Sequence, residues 1–74
     1  MNPNHYKSLT YLGILCSEKE EFGESGTYFK KALQLKPDYP LALLSMGNLL
    51  FETDHPVNAM KYHLAALKIN SKEL

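Results

Sequence analysis

Residues 9–18, LTYLGILCSE, return 34 positions later as residues 43–52, LLSMGNLLFE. Leu9, Gly13, Leu15 and Glu18 recur unchanged as Leu43, Gly47, Leu49 and Glu52. The same offset pairs Tyr28 with Tyr62, Ala32 with Ala66 and Leu33 with Leu67. Conservative pairs fill the gaps: Leu12 with Met46, Cys16 with Leu50, Ser25 with Ala59, and Leu35 with Ile69. Small residues fall on small ones and apolar on apolar. A fixed period of roughly 20 to 50 residues is the mark of stacked supersecondary units.

Within each period the spacing is helical. Leu9, Leu12, Gly13 and Cys16 follow i, i+3, i+4, i+7, which puts them on one helix face. After the polar stretch from Ser17 to Glu21, a second stripe runs through Phe22, Ser25, Phe29, Ala32 and Leu33. The second period copies both, with Leu43, Met46, Gly47 and Leu50, then Ala59, His63, Ala66 and Leu67. The pattern predicts an all-α chain: four helices forming two antiparallel helix-turn-helix hairpins.

Local chemistry places the boundaries. Asp38 is a candidate cap for the third helix, with Tyr39-Pro40 in its first turn, where proline's missing N–H costs nothing. Asp54-His55-Pro56 repeats that logic for the fourth helix, and Asn2-Pro3 or Asn4 starts the first. Pro37 stops the second helix by pushing Lys36 out of the α region. Glu24 near that helix's start, and Lys30, Lys31 and Lys36 towards its end, suit the helix dipole. No glycine stands where the first helix of each hairpin ends; Glu20 and Asp54 stand there, which predicts loosely set turns. Gly13 and Gly47 sit mid-helix, where glycine costs about 1 kcal/mol relative to alanine. The compensating gain is close approach of a facing helix, which Ser25, Ala32, Ala59 and Ala66 allow from the other side.

Composition narrows the classes. Seventy-four residues make one small domain. Eight basic and eight acidic side chains give zero formal charge, without the basic excess a nucleic-acid binder uses to neutralise phosphates. No apolar run approaches the roughly 20 residues of a membrane span, and residues 1–5 lack the pattern of a secretory signal. The single cysteine, Cys16, allows no internal disulfide and fits a reducing compartment. The expectation is an intracellular, cytoplasmic protein with no membrane insertion and no nucleic-acid partner.

The 34-residue period with these residues resembles the tetratricopeptide repeat family. Its pattern of a large residue, Leu-Gly, an aromatic, a small residue, an aromatic, Ala and Pro is met by Leu9, Leu12-Gly13, Phe22, Ser25, Phe29, Ala32 and Pro37. The second repeat meets it with Leu43, Met46-Gly47, Ala59 and Ala66-Leu67, while Pro56, His63 and Ser71 depart from it. On this reading residues 1–74 are a single unit, with repeat one at 6–39 and a more degenerate repeat two at 40–73. The resemblance implies a short right-handed α-solenoid whose concave face is lined by the first helix of each hairpin.

The candidate groove positions on the first helix are Lys7, Thr10, Tyr11, Ile14, Ser17 and Glu18. On the third they are Leu41, Leu44, Ser45, Asn48, Phe51 and Glu52. An apolar strip of Ile14, Leu44 and Phe51, flanked by Tyr11 and Asn48, would hold an extended peptide or a partner helix. The family's carboxylate clamp is missing, with Thr10, Ile14 and Ser45 at its places; so is the asparagine ladder of some members, with Tyr11 and Ser45 there. The last helix carries Tyr62, Leu64, Leu67 and Ile69 besides its core stripe, a candidate self-association face.

Other chemistry finds little support. His5, His55 and His63 fall at a terminus, a turn and a core stripe, so they are not expected to converge on a metal. Cys16 reads as a packed residue with no base nearby. Glu18, Glu20, Glu21 and Glu24 read as a solvated turn, or as a docking patch for a basic partner. No enzyme motif and no cofactor motif is present. The expected function is a protein-interaction module. The alternative is a structural segment that stacks with flanking repeats or forms a homo-oligomer by stacking or helix exchange.

Overall fold

A computed structural model describes residues 5–73 of the chain, with side chains described for 5–69. It contains four helices: α1 (His5–Glu18), α2 (Phe22–Leu35), α3 (Pro40–Glu52) and α4 (Pro56–Glu73). The chain is all-α. α1 packs antiparallel on α2 and α3 on α4, and the two hairpins stack mainly through α2 against α3, with a smaller contact between α1 and α3. The Cα trace fills a slab of 34 × 33 × 16 Å. The short dimension is what two helix layers give at interaxial distances of roughly 8 to 10 Å. The expected start of α1 at Asn2-Pro3 or Asn4 lies outside the described residues.

The small residues do what their spacing requires. A Cβ on Gly13 would stand 2.5 Å from Cε1 of Phe29, and one on Gly47 would stand 2.6 Å from Nε2 of His63. Phe29 and His63 are themselves 34-residue equivalents, so each hairpin closes by laying a ring over a glycine. Ser25, fully buried, donates its hydroxyl to the carbonyl of Gly13 at 2.8 Å. Two buried clusters form the core. Leu9, Ala32 and Ala42 are joined by Tyr6, Tyr28, Leu33 and Tyr39. Phe29, Met46 and Leu49 are joined by Ile14, Phe22, Leu50 and Tyr62.

The turns differ from the loosely set ones expected. Glu20 (φ 63°) and Asp54 (φ 67°) both adopt the left-handed conformation. The Glu21 N–H then reaches the Cys16 carbonyl at 2.8 Å and the Glu20 N–H reaches that of Ser17 at 3.0 Å. In the second hairpin the His55 N–H reaches Leu50 at 2.7 Å and the Asp54 N–H reaches Phe51 at 3.3 Å. This is the Schellman arrangement, formed twice at equivalent positions without glycine. The bonds to orphan carbonyls hold the backbone where side-chain sterics disfavour it.

Two capping expectations are corrected. α3 begins at Pro40, so its N-cap is Tyr39, with no side-chain cap bond. Asp38 lies one residue too early and pairs instead with Lys36 at 3.2 Å. Asp54 is taken by the left-handed turn, which leaves His55 immediately before Pro56. Pro37 acts as expected, with Lys36 extended at the C-cap of α2. The last turn of α2 holds no basic residue. Lys30 and Lys31 stop a turn short of the end, and the Lys36 ammonium sits 5.9 Å from the Tyr6 ring centroid.

Candidate functional site

A cleft of about 300 Å³ opens between α1 and α3. Ile14, Ser17 and Glu18 line it from α1, and Ser45, Asn48 and Glu52 from α3, with the buried ring of Phe29 behind them. The α1 trio is spaced by three and one and the α3 trio by three and four, so each helix turns one face to the cleft. Ile14 serves twice, as a wall of the cleft and as packing against the core cluster of Phe29, Met46 and Leu49. The Asn48 amide oxygen lies 3.2 Å from Nε2 of His63. That contact fixes which way the amide points and leaves its NH₂ group as the donor available to the cleft. The site thus offers one aliphatic wall, two hydroxyls, one oriented amide and two carboxylates.

Of the groove candidates read from the sequence, the structure brings together Ile14, Ser17, Glu18, Ser45, Asn48 and Glu52; of the five singled out for the apolar strip and its flanks, only Ile14 and Asn48 are among them. Tyr11, Leu44 and Phe51 are exposed and do not line this cleft. Thr10 is fully buried; its hydroxyl donates to the Tyr6 carbonyl at 2.8 Å, which satisfies it within the helix. At the start of α1, Tyr6 packs edge to face with Tyr39, ring centroids 4.9 Å apart. Burial, then the neighbouring Tyr11 and Tyr6 phenols, push the Tyr39 hydroxyl above the usual phenol range.

The last helix is also resolved into faces. Leu64 and Leu67 are exposed, as expected, but Tyr62 turns inward onto the Phe29 cluster and Ile69 is half-buried. Val57 and Met60 are exposed in their place. Counting back from Leu67 and Leu64 by helical steps would have found both. Among the described residues no helix is long and apolar enough to cross a membrane.

At the first turn, Cys16 has a carboxylate nearby that its sequence environment did not reveal. Its Sγ lies 4.0 Å from Glu24 Oε2. Desolvation, then the Glu24 and Glu21 carboxylates, push the thiol above its ordinary range, and Lys19 offsets only part of this. Such a thiol is the opposite of an activated nucleophile. Ligand atoms of Cys16, Glu21 and Glu24 lie within 4.8 Å of one another. That is one donor short of a closed tetrahedral set.

No family model matches the chain, and no solved structure matches it. Curated proteins do. Over 51 residues the chain is 35% identical to "Protein O-mannosyl-transferase Tmtc3" of Drosophila melanogaster, a stretch covering 69% of this chain and 6% of that protein. Over 69 residues it is 29% identical to "Protein O-mannosyl-transferase TMTC3" of Homo sapiens and of Mus musculus, covering 92% of this chain and 8% of theirs. The chain therefore spans less than a tenth of these relatives' length. It is a four-helix, repeat-like domain similar to one short segment of much longer proteins.

Proposed function

We propose that this chain is a tetratricopeptide-type protein-interaction module, and that the α1–α3 cleft receives a segment of a protein partner. The observation that carries the reading is the cleft itself. A sequence repeat realised as two stacked hairpins sets one face of α1 beside a face of α3, and the lining there combines the aliphatic Ile14 with five polar side chains. Glu18 and Glu52 give it a negative rim, so the preferred occupant carries a lysine or arginine beside a small apolar side chain that meets Ile14. An acidic tail does not suit this lining.

The reading is of a non-catalytic part in an intracellular, cytoplasmic setting, for which the single cysteine is the sequence support. Mannosyl transfer belongs to the names of the relatives, and the matched stretch is only 6% to 8% of those proteins. It is not assigned to these residues.

Affinity capture with three versions of the chain tests this. A partner held by the unaltered chain is expected to be lost with Ile14→Ala/Asn48→Ala and weakened by Glu18→Gln/Glu52→Gln. It should be retained by Leu44→Ala/Phe51→Ala, whose side chains lie outside the cleft. Capture unchanged by the first pair would overturn the cleft as the binding surface.

A further inference from the structure

α2 and α4 both pack on α3, and among the described residues they do not touch each other. The gap between them is a groove of about 490 Å³ along α3. Leu43, Met46 and Leu50 form its floor, spaced by three and four as one helix face. At about 3.6 residues per turn, that face points away from Ser45, Asn48 and Glu52, which line the cleft with α1. Lys30 stands on the α2 wall and Lys61 on the α4 wall, with Asn58 and Tyr62 beside Lys61. The groove continues towards the start of α2, past Gly26 and Gly23; Lys30, Met46 and Leu50 border both parts. Its floor and both walls belong to this chain.

Two features of this lining have no use within the fold. The first is glycine. Gly13 and Gly47 are required by the rings laid over them, but Gly26 is not. A Cβ there would meet only Cδ2 of Leu49, at 3.4 Å, which is ordinary contact, and one on Gly23 would meet nothing within 4 Å. Glycine inside a helix is unfavourable, and the equivalent of Gly26 in the second repeat is Met60. What Gly26 does is lower the α2 wall, so that another backbone can lie close to it. The second feature is charge. No carboxylate lines either part of the groove. Among the described residues the one ion pair joins Lys36 to Asp38, which leaves Lys30 and Lys61 without an acidic partner. The chain has zero formal charge, yet Glu18 and Glu52 line the cleft and two lysines line the groove. Opposite charges are sorted to opposite sides of α3.

We infer that the α2–α4 groove takes a short acidic segment of a protein partner. Its carboxylates meet Lys30 and Lys61, and an apolar side chain between them covers the half-buried Leu50 and Tyr62. Two ammonium groups across an apolar floor are complementary to acidic residues flanking an apolar one. The Asn58 amide can both donate to and accept from a passing backbone. This surface is separate from the Ile14–Asn48 cleft and selects the opposite charge.

The test is amide NMR on the isotope-labelled chain, titrated with a synthetic peptide that alternates glutamate with leucine. A copy with glutamine for glutamate is the control. Shifts are expected at Gly26, Lys30, Met46 and Lys61, with the glutamate peptide held about tenfold more tightly than the control. Lys30→Gln/Lys61→Gln should abolish that preference. Gly26→Met, which installs the residue found at position 60, should keep or raise the urea midpoint while weakening the peptide. Asn48→Ala, in the cleft, should bind the peptide as before, so this proposal and the cleft reading fail separately. No binding, equal affinity for the two peptides, or a preference that survives the double lysine change would overturn the proposal. So would full binding by a folded Gly26→Met chain. Capture by phosphatidylserine vesicles in place of the peptide would assign the lysines to a lipid surface and overturn it. The same amide shifts on concentrating the chain alone would assign the groove to a second copy, with the same result.

Discussion

The ring of Phe29 fills the space into which a β-carbon on Gly13 would project, with Cε1 at 2.5 Å and Cδ1 at 2.7 Å from that point. Phe29 is 1% exposed and packs with Met46 and Leu49, so its ring must shift against them to admit that carbon. Gly13→Ala gains about 1 kcal/mol of helix propensity, yet overpacking of this kind costs about 1 to 3 kcal/mol. The variant is expected to be destabilised in urea unfolding. Phe29→Leu should harm the normal chain but harm the Gly13→Ala chain less. Strictly additive losses in this double-mutant cycle would show that the two residues do not compete for one space.

Ser25, one turn before Phe29 on α2, reaches the same glycine. Its buried hydroxyl bonds the Gly13 carbonyl at 2.8 Å. Ser25→Ala removes a neutral hydrogen bond while keeping the shape, so a loss of about 1 kcal/mol is expected. The second hairpin carries Ala59 at this position. A denaturation midpoint unchanged by Ser25→Ala would mean that the bond contributes nothing net.

The left-handed residues of the two turns offer a gain instead. A non-glycine residue in that conformation costs roughly 1 to 2 kcal/mol, less for aspartate than for most. Glu20→Gly should raise stability by about 0.5 to 1 kcal/mol, after glycine's own entropy cost. Asp54→Gly should gain less. Thermal unfolding of the two variants decides it, and a lowered midpoint for Glu20→Gly would show that its side chain holds the turn.

Cys16 should alkylate slowly at neutral pH, because its raised pKa leaves little thiolate. Glu24→Gln removes one of the two carboxylates that raise it and should speed the reaction with iodoacetamide at pH 8. Equal rates before and after the change would remove Glu24 from the account.

Tyr39 sets an alkaline limit. Its phenol holds its proton more tightly when folded than when unfolded. The associated stability is fully present below the unfolded tyrosine value of about 10 and is lost as pH rises through the folded value. Tyr39→Phe should flatten the fall in melting temperature at high pH, while leaving neutral behaviour little altered. A parallel fall in both proteins would place the alkaline sensitivity elsewhere.

The helices, their order and their pairing were legible because two periods, 3.6 and 34, agree in the same residues. The turns were not. A glycine would have advertised a left-handed residue, and Glu20 and Asp54 do not. Thr10 looked available to a ligand because its hydroxyl is polar; the carbonyl that satisfies it lies one turn back on the same helix. Tyr62 looked exposed because α4 is apolar on several sides, although its equivalent Tyr28 also packs on a buried cluster. The helix walls of the cleft were legible: helix periodicity tells which residues share a face, and Ile14, Ser17, Glu18, Ser45, Asn48 and Glu52 were all among the groove candidates. It does not tell how far a face is rotated towards its neighbour, and that rotation leaves Tyr11, Leu44 and Phe51 outside.

Among the described residues, every helix touches its neighbour in sequence or next but one, and α1 never meets α4. The two hairpins are therefore short loops in the chain, and little entropy is spent in closing them. Helical topologies dominated by such local contacts typically fold in microseconds to milliseconds, against milliseconds to seconds for folds dominated by distant pairings. This topology also places the two glycine–ring contacts, each local to one hairpin, where they can form before the hairpins find each other.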